Sequence, residues 1–548
     1  RRATAADPAF RVPSAAEFAA ARDAVADGLG PAQTRGHERP VSARRPPSPR
    51  GRRRLGLVAG ALVAGLATLV AVGAVTGHPG AVFGPGRAAP ASTGPPAGTP
   101  VSTRGWAAVT APGPGVLDPA GAASLPGAPT GPTEGLLSCP DEAFCAAVVP
   151  AVGTSPGSPV IDTSHAGTWT ATPAPTAGLD PPAYAGGPGA PVELDAVSCP
   201  VAGWCVAAGR YDDAGGGSDG LAVTLSDGTW TPATVPGATG LDHVACAWVG
   251  SCVAIGRSAS SAALWTLGPG GWAPASPDAA LDVAGSAVPR LSDVSCGEAG
   301  RCVAVGHTYS ATGTEEALVE TETGGSWRRT VVAGRGDGAT ASLDDVSCAA
   351  TSCVAAGGTE AADGSLRPLV LMLRSGTWRT APVPTIGHRP GVPQWTYLTS
   401  VSCASARLCA VTAWSYARAD GERIRGFLLT EVGGRWRAQS PAVAGLAPAA
   451  APGPDLVPWS VSCTGAACVA VGGYQDATGA EYGLVETFRH GTWRAATAPT
   501  AGLVPGAGAD PRMDLEAVSC PGAHCTALGT YEDTSGAVRA VLAQGAGP

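Results

Sequence analysis

The sequence predicts an all-β fold: a single β-propeller of about eight four-stranded blades, preceded by a transmembrane helix and a mostly disordered cytoplasmic arm. Three observations predict it. The 16 cysteines fall into eight close pairs, the first members of successive pairs lying 47 to 60 residues apart. Most pairs are followed by a second apolar run and then by a turn ending in Trp. One stretch of 23 uncharged residues, Leu55–Gly77, separates a basic arm from an acidic body.

The pairs are Cys139/Cys145, Cys199/Cys205, Cys246/Cys252, Cys296/Cys302, Cys348/Cys353, Cys403/Cys409, Cys463/Cys468 and Cys520/Cys525. Around them the chain reads DAVSCPVAGWCVAAG, DDVSCAATSCVAAG, WSVSCTGAACVAVG and EAVSCPGAHCTALG. Self-similarity at such a period marks a repeat architecture. Within residues 343–385 four short strands are expected, LDDVSC, CVAAGG, LVLMLR and TWRTAPV, with Gly, Ser, Asp or Pro at the turns. The second is small and apolar throughout, which means burial on both faces of its sheet. Blades stacked radially supply that burial, and four strands per repeat of about 40–55 residues are the signature of a propeller.

The blade-turn tryptophans are Trp106, Trp169, Trp230, Trp272, Trp327, Trp378, Trp436 and Trp493. Trp106 precedes every cysteine pair, and no Trp follows the last one. RGWAAVT, residues 104–110, is therefore expected to form the outer strand of the final blade by pairing near residues 537–543. That pairing closes the ring and removes its free edges. The unit at Cys139 is the weakest copy, which leaves seven blades as the alternative count.

Each pair joins the end of one strand to the start of its hairpin partner, where Cα atoms come within about 4.5–5.5 Å, inside disulfide range. Closing so small a ring constrains the unfolded chain by about 2 kcal/mol. Zinc sites need four converging ligands, whereas here every pair sits in a different blade and no His accompanies a pair at fixed spacing. All 16 cysteines are assigned to hairpin disulfides and none to a metal.

The VSC…CVAVG…GTW units resemble those of secreted or membrane-anchored β-propeller proteins of actinobacteria. The turn Ser226-Asp227-Gly228-Thr229-Trp230 is also similar to the Asp-box of sialidase and photosystem II assembly factor propellers; other copies read RSGTW, RHGTW, TGGSW and VGGRW. The resemblance covers roughly residues 104–548. It implies the fold and, through the sialidases, a carbohydrate-active alternative.

Residues 1–54 carry 12 Arg against five acidic residues, and the remainder 23 Arg against 38. As a helix, Leu55–Gly77 is about 35 Å long, enough for a hydrocarbon core of about 30 Å. Arg44, Arg45, Arg50, Arg52, Arg53 and Arg54 precede it, which places the N-terminus in the cytoplasm and the body outside. The apolar run exceeds a secretion-signal core, so it is read as a retained single-pass anchor in the cell membrane. Within the arm, Ser14-Ala15-Ala16-Glu17 is a capping box for one short helix. Residues 78–103, rich in Pro and Gly, form a linker to the propeller of 104–548.

An acidic body without Lys is a poor match for nucleic acid, whose binding rests on neutralising phosphates. The chain has no P-loop, no G-x-S-x-G and no HExxH, and it lacks a FRIP-like segment. No catalytic or cofactor residue is assigned. Asp212, Asp213 and Asp219 in YDDAGGGSDG carry calcium-type oxygens without ligand spacing, and Arg335-Gly336-Asp337 is read as an accidental tripeptide. The function expected is a non-catalytic extracellular binding or sensor module for a protein, glycan or cell-envelope ligand. The alternative is a carbohydrate-active hydrolase or lyase on the same scaffold.

Overall fold

Short strands with Gly-rich turns settle into four-stranded sheets arranged as a ring in the computed structural model. It describes residues 105–548 except 113–132, 150–158, 184–191, 260–261, 276–288, 299–300, 333, 335–338, 362, 385, 387–393, 418–423, 452–455 and 548. The 32 strands of the described residues make eight antiparallel blades, with blades 5 and 6 also joined by one parallel bridge between Leu366 and Trp395. Blade 5 shows the plan: inner strand Thr340–Ala349, then Ser352–Glu360, Leu366–Arg374 and outer strand Thr377–Thr380. The first three strands run further than the sequence suggests, and the outer strand ends sooner.

Closure follows the expected route. Trp106–Thr110 pairs antiparallel with Val538–Ala546, from Trp106 opposite Gly545 to Thr110 opposite Val541. The outer strand of blade 8 is thus the first strand of the chain. The Cys139 unit is a complete blade, Leu137–Asp141, Phe144–Val149, Val160–His165 and Thr168–Pro173, so the count is eight. Leu137, Cys145 and Ala147 of this blade pack in one cluster with Ala517, Leu528 and Leu542 of blade 8.

All eight cysteine pairs form disulfides: Cys139–Cys145, Cys199–Cys205, Cys246–Cys252, Cys296–Cys302, Cys348–Cys353, Cys403–Cys409, Cys463–Cys468 and Cys520–Cys525. Their separation corrects the sequence expectation. The Cα atoms stand 4.0 to 4.2 Å apart, closer than the general strand spacing of about 4.5–5.5 Å. Five pairs face each other directly across the ladder: Cys246 opposite Cys252, Cys296 opposite Cys302, Cys348 opposite Cys353, Cys403 opposite Cys409 and Cys463 opposite Cys468. Non-hydrogen-bonded opposed positions are the nearest in an antiparallel ladder, and the covalent link draws them closer still. The second cysteine of each pair is the more deeply set. Cys205, Cys252, Cys353, Cys409 and Cys468 are all buried between neighbouring blades.

The Trp of each outer strand wedges against the third strand of the preceding blade. Trp378 Nε1 donates to Thr321 Oγ1 at 3.0 Å, Trp493 Nε1 to Thr430 Oγ1 at 3.0 Å, and Trp436 Nε1 to the Met372 sulfur at 3.5 Å. Trp106, Trp169, Trp230, Trp272 and Trp327 reach the same place by apolar packing, sharing clusters with Val485, Leu542, Ile161, Ala222 and Leu264 respectively.

An inner strand has an open edge toward the axis, and its amides need acceptors. The preceding blade provides them. Ser347 Oγ accepts the Cys403 amide at 3.0 Å, and Ser402, Ser462 and Ser519 do the same for Cys463, Cys520 and Cys139. Ser138, Ser198 and Ser295 serve Cys199, Cys246 and Cys348. Seven of eight junctions carry this bond; at the remaining one, between blades 3 and 4, the position is Ala245. Four junctions add a second bond two residues earlier, from the Val346 amide to Asp293, Val401 to Asp345, Val461 to Ser400 and Val518 to Ser460.

Just before these positions seven inner strands shift register by one residue, for example between Leu291 and Asp293. The bulge explains the Gly in CVAVG. A Cβ on Gly306 would fall on the Arg290 carbonyl oxygen, and one on Gly472 on that of Val457. The Asp-box turn is a tight hairpin with positive φ at Asp227 (51°) and Gly228 (76°). Ser375-Gly376 and His490-Gly491 adopt the same conformation without Asp, so the turn does not depend on it.

The arm, Leu55–Gly77, the linker and Arg335-Gly336-Asp337 lie outside the described residues. Among those described, no helix is long and apolar enough to cross a membrane.

Two substitutions test the junction bonds. Ser402→Ala, which leaves the half-buried Cys463 amide without its acceptor, is expected to destabilise the protein by about 1 kcal/mol in a denaturation experiment. Ala245→Ser, which supplies the missing acceptor, is expected to raise the melting temperature. Separately, Gly306→Ala is expected to cost about 1–3 kcal/mol or more, since the inner strand must move.

Candidate functional site

The face of the disc opposite the disulfide turns carries the turns between second and third strands and the long connections between blades. There, between blades 6, 7 and 8, a narrow cleft is lined by Ile424, Val457, Trp459, Tyr474, Glu481 and Asp514, among others. Blade 7 supplies Trp459 as the extra residue of its inner-strand bulge, between Pro458 and Ser460. Blade 8 supplies Asp514 as the first residue of its inner strand. Tyr474 is the penultimate residue of the second strand of blade 7, Ala467–Gln475, and Glu481 opens the third.

Aromatic rings crowd this sector. Tyr397 stacks on Trp414 with centroids 4.3 Å apart, and Trp395 on Tyr416 at 5.0 Å, both within blade 6. Trp414 and Tyr416 share a cluster with Ile424, Val457 and Trp459. The Tyr474 hydroxyl donates to the Pro448 carbonyl at 2.9 Å and lies 2.7 Å from Thr497 Oγ1, which fixes one wall. Trp459 Nε1 donates to both Asp514 oxygens, at 3.1 and 2.9 Å. Burial pushes the Asp514 carboxyl up to about 7 despite that donation, and the charge of Glu481 adds to the rise. A perturbed carboxyl in an aromatic cleft is the usual mark of a ligand site.

Acids also recur along the inner ring. Bulge residues Asp195 and Glu516 are both pushed upward by burial, Asp195 to about 7 and Glu516 to about 8, with Asp242 and Asp514 as the respective neighbouring charges. Deeper, Asp345 is held well above the usual carboxylate range by burial and by Asp293 beside it. Asp293 in turn stands 3.3 Å from His243 Nδ1. The short 3₁₀ turn Thr133–Leu136 touches the inner strands of blades 2, 7 and 8. A Cβ on its Gly135 would lie 3.0 Å from Ala196 and 3.3 Å from the His243 ring. This turn narrows the axial opening at that depth.

The residues singled out from sequence have structural places. The cysteines and turn tryptophans hold blades together and do not converge: Cys252, Cys353, Cys409 and Cys468, for example, each stand second in the second strand of a different blade. Asp213 Oδ1 accepts the Gly215 and Gly217 amides at 2.6 and 2.9 Å, a turn in which the carboxylate caps its own loop. Asp476 and Asp533 repeat it, each beside a Tyr bonded to a proline carbonyl. Among the described residues, no group of three or more His, Cys, Asp or Glu could hold a metal ion. Sequence reasoning missed the cleft. Trp395, Trp414 and Trp459 fall outside the turn repeat, but so do Trp204, Trp248 and Trp265, so this signal does not single out the cleft.

No protein-family model matches the chain, and no curated protein matches it. Among solved structures it is similar to YCF48 bound to D1 peptide, at 11% identity over 82% of this chain and 99% of that one, with a TM-score of 0.33. It is similar to the β-propeller domain of the trilobed protease from Pyrococcus furiosus, at 6% identity over 64% and 94%, TM-score 0.37. A mutant of Trypanosoma rangeli sialidase displaying trans-sialidase activity matches at 9% identity over 63% and 52%, TM-score 0.30. These neighbours are β-propellers; the count of eight blades rests on the strand pairing above.

The raised carboxyls set a pH dependence. Asp514, Asp195, Glu486 and Glu516 keep their protons in the folded state to about 7 or 8, whereas the unfolded chain releases them near 4. The folded state therefore holds extra protons in that window, and stability is lost as pH rises through it. The melting temperature is expected to fall between about pH 5 and 8, and Asp514→Asn to make the fall shallower. A flat profile would contradict the burial of these groups.

Proposed function

We propose that this chain is a non-catalytic extracellular binding module, anchored by Leu55–Gly77 and of the actinobacterial propeller type that its repeats resemble. Its ligand, a protein, glycan or cell-envelope component, seats in the cleft between blades 6, 7 and 8. The single observation that carries the reading is the aromatic cleft itself, in which Trp459 holds Asp514 while stacked rings stiffen the wall. A rigid apolar cleft with a few placed polar groups is what small ligands and ligand tips require. Eight disulfides support an oxidising, exported location.

One observation favours a second reading. Burial raises Asp514 to about 7, so it is partly protonated at neutral pH, and Glu481 lines the same cleft, a pairing of acid and carboxylate used in glycoside hydrolysis.

Glycan-array and envelope-fraction binding by the full chain, compared with Glu481→Gln and Asp514→Asn, tests the first reading. Capture is expected in the wild type, with a loss of about tenfold in Glu481→Gln, the scale of one lost hydrogen bond to a charged group, and a smaller loss in Asp514→Asn. Capture that neither variant alters would place the ligand elsewhere. Turnover of fluorogenic glycosides that vanishes in Asp514→Asn would establish the second reading instead.

A further inference from the structure

The disc has two unlike faces. The disulfide turns and the turns before the outer strands share one face, because Cys205 pairs with Leu225 and Leu225 with Trp230. The chain enters on this face, where Trp106 pairs with Gly545 and Gly545 with Cys525. The cleft at Asp514 opens on the other.

Three exposed apolar side chains stand at two neighbouring tips of the entry face, while Val432, Val443 and Val504 are exposed singly elsewhere. In blade 3, Trp248 is 57% exposed and Val249 56%; in blade 2, Val201 is 38% exposed. The bond from the Cys246 amide to Ser198 sets the two tips side by side, and Trp204 packs with Cys246 between them. Exposed Arg301, Arg407, Arg435 and Arg489 share the face, against exposed Asp141, Glu142 and Asp227 among the described residues. Glu142 is paired with His524 at 2.9 Å. The other face carries Asp195, Asp213, Asp476, Glu481, Asp514 and Asp533, together with Arg210, Arg512 and Arg539, which pair with Glu193, Glu532 and Asp533.

We propose that the entry face docks on an anionic lipid bilayer, the one that Leu55–Gly77 spans, with Trp248, Val249 and Val201 as its inserted tips. The inference rests on the sequence-derived anchor. Trp settles at the boundary between headgroups and acyl chains, and Arg gains from anionic headgroups. A flexible linker of the length of residues 78–103 would have an r.m.s. span of about 30 Å. Such a tether holds the face at about millimolar local concentration, so three apolar side chains suffice. Docked this way, the cleft faces outward.

The full chain in vesicles of phosphatidylglycerol or phosphatidylcholine, with acyl chains brominated near the headgroup, tests the proposal through tryptophan fluorescence. The anchor and linker contain no Trp, so any quenching comes from the propeller. Quenching is expected in phosphatidylglycerol, reduced by salt and lost in Trp248→Phe. Val249→Ser, which keeps every Trp, is expected to weaken it about threefold. Absent quenching, or quenching unchanged by Trp248→Phe, would overturn the proposal. So would protection of Trp248 by envelope protein in place of lipid.

Discussion

The architecture depends on how an inner strand satisfies its axial edge. Apart from Trp395 of blade 6, which also bridges to Leu366, that strand has a partner on one side only, and the amides on the other side point into the ring. A buried amide without an acceptor costs about 1–3 kcal/mol, and a ring multiplies that cost by the number of blades. The serine before the first cysteine resolves this by reaching across the junction, and at four junctions Asp293, Asp345, Ser400 or Ser460 adds a second acceptor. Blades thereby become hydrogen-bonded to each other where they are closest, while the Trp wedges join them further out.

This constraint accounts for the repeated sequence around each cysteine pair. The disulfide fixes the hairpin end, which sets where the serine stands; the bulge before it turns the edge amides toward the preceding blade. The bulge in turn brings a carbonyl against the second strand, and Gly306, Gly472 and their equivalents make room. Blade 6 departs from the pattern with Ala413 at the glycine position, and nothing else in that blade explains it.

Fold and pairing were legible because they are periodic. Cysteine spacing, the small second strand and the displaced Trp106 together set out the blade plan and the closing strand. The serine's role was not legible, although VSC recurs, because its partner lies 48 to 61 residues on in the chain for junctions such as Ser198–Cys246 and Ser138–Cys199. The cleft was invisible for the opposite reason. Trp459 and Asp514 occur once each at their positions, 55 residues apart, and only ring geometry brings them together. Repeats write architecture into a sequence, whereas a site is written in the departures from them.

Amide hydrogen exchange at the first cysteine of each blade tests the junction account most directly. Cys139, Cys199, Cys246, Cys348, Cys403, Cys463 and Cys520 should exchange only on global opening, while Cys296, facing Ala245, exchanges faster. Equal protection at all eight, or rapid exchange at the seven, would contradict it.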